Sequence, residues 1–177
     1  MALSAHDIQS LSNILVRVGL YVSHCDDTDQ GEESEVKERD YMLKALTRIA
    51  KLSKSDTVAA CARLALEKPT SADDESAESL SASIQEAVAL FRGAEGEDQL
   101  IHFKRAVMYV ATAVARAYRE ELDIHQEEFL LEGLLRKVIG AVNKEADPEE
   151  FKNINISPAE DSALTMISEA LRVKDIP

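Results

Sequence analysis

Apolar residues recur every three to four positions through most of this chain, the spacing that gives an α-helix one buried face. The first such stretch opens near Ser4, whose spacing to Asp7 fits a capping box with Asp in place of the usual Glu. It carries Ile8, Leu11, Ile14, Leu15, Val18 and Val22, and stops at the acidic segment His24–Gly31. A second helix is predicted from about Glu35, with Val36, Leu43, Leu46, Ile49 and Ala50 facing inward. Ser55 and Asp56 cap a short third helix carrying Val58, Ala59, Ala62 and Leu66, and Pro69 marks its end.

Residues 69–79 are polar and read as a connection. The fourth helix follows with Leu80, Ile84, Ala87, Val88 and Phe91, and Gly93 and Gly96 are expected to break it. Ile101, Val107, Met108, Ala111, Val114, Ala115 and Tyr118 define a fifth, whose Ala-rich middle predicts a central helix that its neighbours approach closely. A second acidic link, Glu120–Ile124, leads to a sixth with Leu130, Leu131, Leu134, Leu135, Val138 and Val142. Ser157-Pro158-Ala159-Glu160 then combines an N-cap Ser, Pro at the first helical position and Glu at the third, opening a seventh with Leu164, Ile167 and Leu171. The expectation is an all-α protein, a compact bundle of about seven helices in one domain over 1–177. Its first half covers 1–68, the polar connection 69–79 and the second half 80–177.

Composition agrees with that reading. At 177 residues with 45% hydrophobic and 30% charged side chains, the chain can bury a core without staples. Six Gly and four Pro give little turn chemistry for an all-β fold. The formal charge is −13, from 33 acidic and 20 basic side chains. A surface this negative repels phosphate backbones and argues against nucleic acid as a partner. The nearest basic group, Arg116, Arg119, Arg136 and Lys137, is surrounded by acids. The acidity suits cations or basic partner segments, and serves solubility as well.

Cys25 and Cys61 do not make a disulfide framework, and both sit in helical stretches where a buried thiol is the common role. The N-terminus lacks the basic start and apolar run of a signal peptide, and no stretch approaches the ~20 apolar residues that span a bilayer. A cytoplasmic protein without a membrane span is expected; peripheral association and homo-oligomers stay open.

Two segments share a plan of apolar helix, acidic break and second apolar helix, a weak internal two-fold repeat. The first joins Val18–Cys25 to Tyr41–Leu46, the second Val114–Tyr118 to Phe129–Leu134, and aligning Tyr41 with Phe129 sets Asp40 opposite Glu128. Acids near a helix start are stabilised by its dipole, which accounts for part of the pattern. The alternative is that carboxylates from both breaks converge and hold a hard cation such as calcium or magnesium, which takes oxygen ligands. An EF-hand is excluded. With Gly31 at that loop's glycine, Lys37 stands where a bidentate Glu belongs.

The segment Ala113-Val114-Ala115-Arg116-Ala117-Tyr118-Arg119-Glu120-Glu121-Leu122-Asp123-Ile124-His125-Gln126-Glu127-Glu128 resembles the tellurite-resistance TerB-like helical domains. That family shows an Ala-rich helix, an acidic residue with glycine, an isoleucine and a further Glu opening the next helix. With Ile124 on the isoleucine, Glu121 takes the aspartate position and Glu128 the glutamate, while Leu122 replaces the glycine. In the first half Asp26 or Asp27 stands for the aspartate and Asp40 for the glutamate. The resemblance implies a non-catalytic stress-response or accessory module that binds metal ions or partner proteins. The candidate ligands are then Glu120, Glu121, Asp123 and Glu128, with Asp26, Asp27 and Asp40 from the other half. The alternative is a protein–protein interaction scaffold with no metal site.

Enzyme chemistry finds little support. There is no His-Glu-x-x-His or Cys-x-x-Cys motif, and Gly93-Ala94-Glu95-Gly96 is too short and too acidic for a phosphate loop. A di-iron bundle wants Glu-x-x-His pairs, whereas Glu121 and His125 are four apart. His24 and Cys25 are sequence neighbours that do not face each other on a helix. His6, His24, His102 and His125 read as surface or helix-end residues, and Tyr41, Tyr109 and Tyr118 as core or core-edge rings rather than a ligand box.

Overall fold

The computed structural model describes residues 3–25, 31–67, 76–117 and 157–172. Among them the regular structure is all helical, with no strand: α1 (Ala5–Cys25), α2 (Gly31–Leu52), α3 (Asp56–Glu67), α4 (Ala77–Glu95), α5 (Glu97–Arg116) and α6 (Pro158–Leu171). None of these helices is long and apolar enough to cross a membrane. The predicted helix from Leu130 to Val142 lies outside the described residues, as does Tyr118.

Local chemistry sets the helix starts. The Ser4 amide donates to Asp7 Oδ2 at 2.8 Å and the Asp7 amide to Ser4 Oγ at 3.2 Å, so the Asp version of the capping box forms. Those bonds to the ionised form hold the Asp7 carboxyl below its usual range. Ser157 and Glu160 make the full box at α6, with Pro158 in its first turn. Ser76 caps α4, accepting from the Ser79 amide at 3.2 Å, so 77–79 belong to the helix and not to the polar connection.

Three other expectations are corrected. Gly31 does not end the acidic segment outside the second helix; α2 starts there, four residues ahead of Glu35. Gly93 does not break α4, because a glycine is tolerated inside a helix. Gly96 does, at φ +84, where only glycine is unstrained. Finally, Val36 and Leu43 are exposed at 68% and 37%, and the inner face of α2 runs instead through Glu38, Met42, Ala45, Leu46 and Ile49. Val36 and Leu43 are seven apart and share a face, so pairing them was sound. Met42, next to Leu43 in sequence, is the residue that packs against Gly19 of α1.

α1 and α5 are central, each packing against every other described helix. α2 and α3 pair on one flank and α4 and α6 on the other. The directions follow from named contacts. Added Cβ atoms at Gly19 would meet Met42, and Ser23 donates to Glu38, so α2 runs antiparallel to α1. Arg17 reaches Ser83 at 3.0 Å and Tyr21 feels Glu78, so α4 is antiparallel to α1 as well. The turn at Gly96 returns α5 along α4, stacking Phe91 on Phe103 with ring centroids 5.1 Å apart. α5 therefore runs parallel to α1. Both rings are fully buried, joined in one core by Leu11, Leu15, Leu80 and Ile167.

Candidate functional site

The parallel central pair has a direct consequence for the two acidic breaks. Gly19 lies against Val110, which levels the two helices at that point. Cys25 and Arg116, the last residues of α1 and α5, each lie six residues further on, about 9 Å at 1.5 Å per residue. The C-terminal ends of α1 and α5 thus lie at the same end of the described fold. α2 and α6 begin at that end too, since Ser23 meets Glu38 and Cys25 feels Glu160.

Two buried carboxylates mark this end, Glu38 and Glu160, each only 6% exposed. The Ser23 hydroxyl donates to Glu38 across the α1–α2 seam. Glu160 Oε2 accepts from the Ser157 amide at 2.9 Å, holding the start of α6. Beside them Tyr21 and Cys25 share a hydrogen bond one helical turn apart. Burial, helped by Cys25 and Glu78, pushes the Tyr21 phenol up to about 12. Burial also raises the Cys25 thiol, with the Tyr21 bond pulling it down and Glu160 pushing it up. A protonated thiol is a poor nucleophile, and Cys61, fully buried and pushed up to about 12, is poorer still.

Of the sequence-predicted ligands, only Asp40 falls among the described residues. It lies on the outer face of α2, exposed, and pairs with Lys44 Nζ at 2.8 Å; that ammonium also sits 5.0 Å from the Tyr41 ring centre. Asp26, Asp27, Glu120, Glu121, Asp123 and Glu128 lie outside the described residues. Among the described residues no group of three or more His, Cys, Asp or Glu side chains is arranged to hold a metal ion. His6 and His24 are exposed and His102 half-buried.

Sequence reasoning passed over Glu38, although its signal was present. Glu38, Met42, Ala45 and Ile49 follow the 3–4 spacing, so Glu38 occupies an inward position of α2. Tyr21 and Cys25 are likewise four apart on α1, a spacing that brings side chains together. No family of known proteins, no curated protein and no solved structure matches this chain.

Proposed function

We propose that this chain is a non-catalytic accessory module of the TerB-like kind, a seven-helix bundle whose two acidic breaks together hold a divalent cation, calcium or magnesium. The observation that supports the reading is the parallel setting of α1 and α5, which brings Cys25 and Arg116, the last residues of the helices that precede the two breaks in sequence, to one end of the described fold. An internal two-fold repeat predicts the same thing: equivalent helices at the centre, each followed by an acidic segment. Glu120, Glu121, Asp123 and Glu128 are the first-choice ligands, with Asp26 and Asp27 from the other break. Asp40, paired with Lys44 on the outer face, ranks last among them.

Titration calorimetry with calcium, magnesium, manganese and zinc tests this. Binding should release or absorb heat, raise the melting temperature with metal concentration, and disappear in Glu121→Lys/Glu128→Lys. No heat and an unmoved melting temperature at millimolar metal would sink it. The exposed Val36 and Leu43 on α2 favour a second reading, a protein–protein interaction scaffold with no metal site. In that case the same charge reversals leave partner capture intact.

A further inference from the structure

The outward side of α2 carries a pattern that the core does not use. Val36, Leu43 and Ala50 recur at an interval of seven, and Lys37, Lys44 and Lys51 repeat at the same interval one residue further on. Seven residues fall about 20° short of two helical turns, so each set runs nearly straight along the helix, one line beside the other. Both lines look away from the core. Val36 is 68% and Leu43 37% exposed, Ala50 is half-buried, and all three lysines are exposed. The buried side of α2 is a different one, through Glu38, Met42, Ala45, Leu46 and Ile49.

The charge of this side is opposite to that of the chain. From Val36 to Lys54 the bases are Lys37, Arg39, Lys44, Arg48, Lys51 and Lys54 and the acids Glu38 and Asp40, in a chain of net charge −13. Glu38 is buried beneath Ser23, so Asp40 is the one exposed acid of that stretch. It pairs with Lys44 at 2.8 Å with both side chains more than half exposed, and a solvated pair of this kind is weak enough to exchange partners. The helix dipole does not explain the lysines as a set. It favours Lys51 in the last turn, but Lys37 stands near the opposite end of α2, where the dipole offers a cation nothing.

We propose that this side of α2 docks an amphipathic helix of a partner protein, its apolar edge laid along Val36 and Leu43 and its acidic flank against Lys37, Lys44 and Lys51. A seven-residue repeat is the spacing at which one helix receives another, and charges beside the apolar seam select the partner. The apolar line is narrow, as in a helix–helix seam, whereas a helix that lies in a bilayer surface sinks a wide apolar face. A second copy of this chain is disfavoured by charge. In a symmetric dimer the same patch meets itself, positive against positive. The proposal deepens the scaffold reading and rests on it; it uses none of the first-choice cation ligands.

The test uses the full chain and two labelled helical peptides of about three heptads, with Leu at alternating spacings of three and four. One peptide has Glu flanking the Leu seam and the other Lys. Fluorescence anisotropy should show saturable binding of the Glu peptide, at least tenfold tighter than the Lys peptide and weakened by salt. The exposed triple change Lys37→Glu/Lys44→Glu/Lys51→Glu should reverse the preference. Leu43→Glu should weaken the Glu peptide at least tenfold, with thermal unfolding confirming that both variants fold. Backbone amide shifts on binding should centre on residues 36–51. The proposal is overturned if neither peptide binds, if both bind equally, or if the triple variant keeps the wild-type preference. Amide shifts centred elsewhere also overturn it, while leaving the scaffold reading on another surface. Sedimentation with phosphatidylserine vesicles that Leu43→Glu abolishes would give the face to a membrane, and a dimer that Leu43→Glu dissolves would give it to a second copy; either result overturns the proposal. The scaffold reading has its own test in the Glu121→Lys/Glu128→Lys capture, on different residues, so the two failures are distinct.

Discussion

Gly19 offers the sharpest test of how the central helices meet. A Cβ placed there would lie 2.6 Å from Met42 Sδ, 3.0 Å from Met42 Cγ and 3.2 Å from Val110 Cγ1. Replacing it by Ala has two opposed effects. Helix propensity gains about 1 kcal/mol, because glycine is that much poorer than alanine inside a helix. Overpacking a filled core costs roughly 1–3 kcal/mol. Met42 is flexible but only 5% exposed, so its sulfur has little room to retreat, and Val110 is stiff at χ1. Gly19→Ala should therefore destabilise the protein by about 1 kcal/mol, the difference between the two effects. Shortening Met42 to Ala removes the two closest contacts and leaves Val110, at 3.2 Å, a few tenths of an ångström to give. In that background the added methyl helps fill the vacated space, and Gly19→Ala should stabilise by about 1 kcal/mol, a coupling on the order of 2 kcal/mol. Urea unfolding of the four variants at a common m-value measures the cycle. If Gly19→Ala stabilises equally whether or not Met42 is present, the close approach of α1, α2 and α5 is wrong. The levelling of Cys25 with Arg116 would then fall with it.

Ser12 is 1% exposed, and its hydroxyl has no hydrogen-bond partner among the described residues. Ser12→Ala should stabilise by about 1 kcal/mol, by removing an unsatisfied polar group and adding a better helix former; a measured loss of stability would mean that the hydroxyl has a partner. Burial holds the Cys61 thiol up to about 12 against a usual value near 9. Above the unfolded value the unfolded chain releases a proton that the folded one keeps, so stability falls as pH rises from 9 toward about 12. Tyr21 adds to the same loss from about 10 upward. The Cys61→Ala variant should show a shallower alkaline decline by urea unfolding at stepped pH, and parallel curves for the two proteins would refute the assignment.

Much of the helical architecture could be read directly from the chain, because its determinants are local. The Ser4–Asp7 and Ser157–Glu160 boxes depend on residues three apart, and each forms at the start of the helix it was expected to open. The 3–4 spacing identified the buried faces of α1, α4 and α6, where Leu11, Leu15, Leu80, Ile84 and Ile167 lie in the core. The Ala-rich middle of α5 foretold its central place, since small side chains are what let five other helices approach.

Nonlocal questions were beyond the sequence. α2 has two stripes at helical spacing, one through Val36 and Leu43 and one through Met42 and Leu46. Only packing against α1 and α5 decides which is buried. The same packing buries Glu38 beneath Ser23: the 3–4 spacing sets it in line with Met42, Ala45 and Ile49, but only the α1–α2 seam decides that this line is covered. Nor does periodicity carry direction: a helix pattern reads the same whether its neighbour is parallel or antiparallel. The acidic segments were visible as composition, but that the helices preceding them end side by side rests on α5 running parallel to α1, a property of the packed helices. The adjacency of residues 41–55 and 99–117 arises the same way, from two stretches far apart in the chain that meet only when α2 packs on α5.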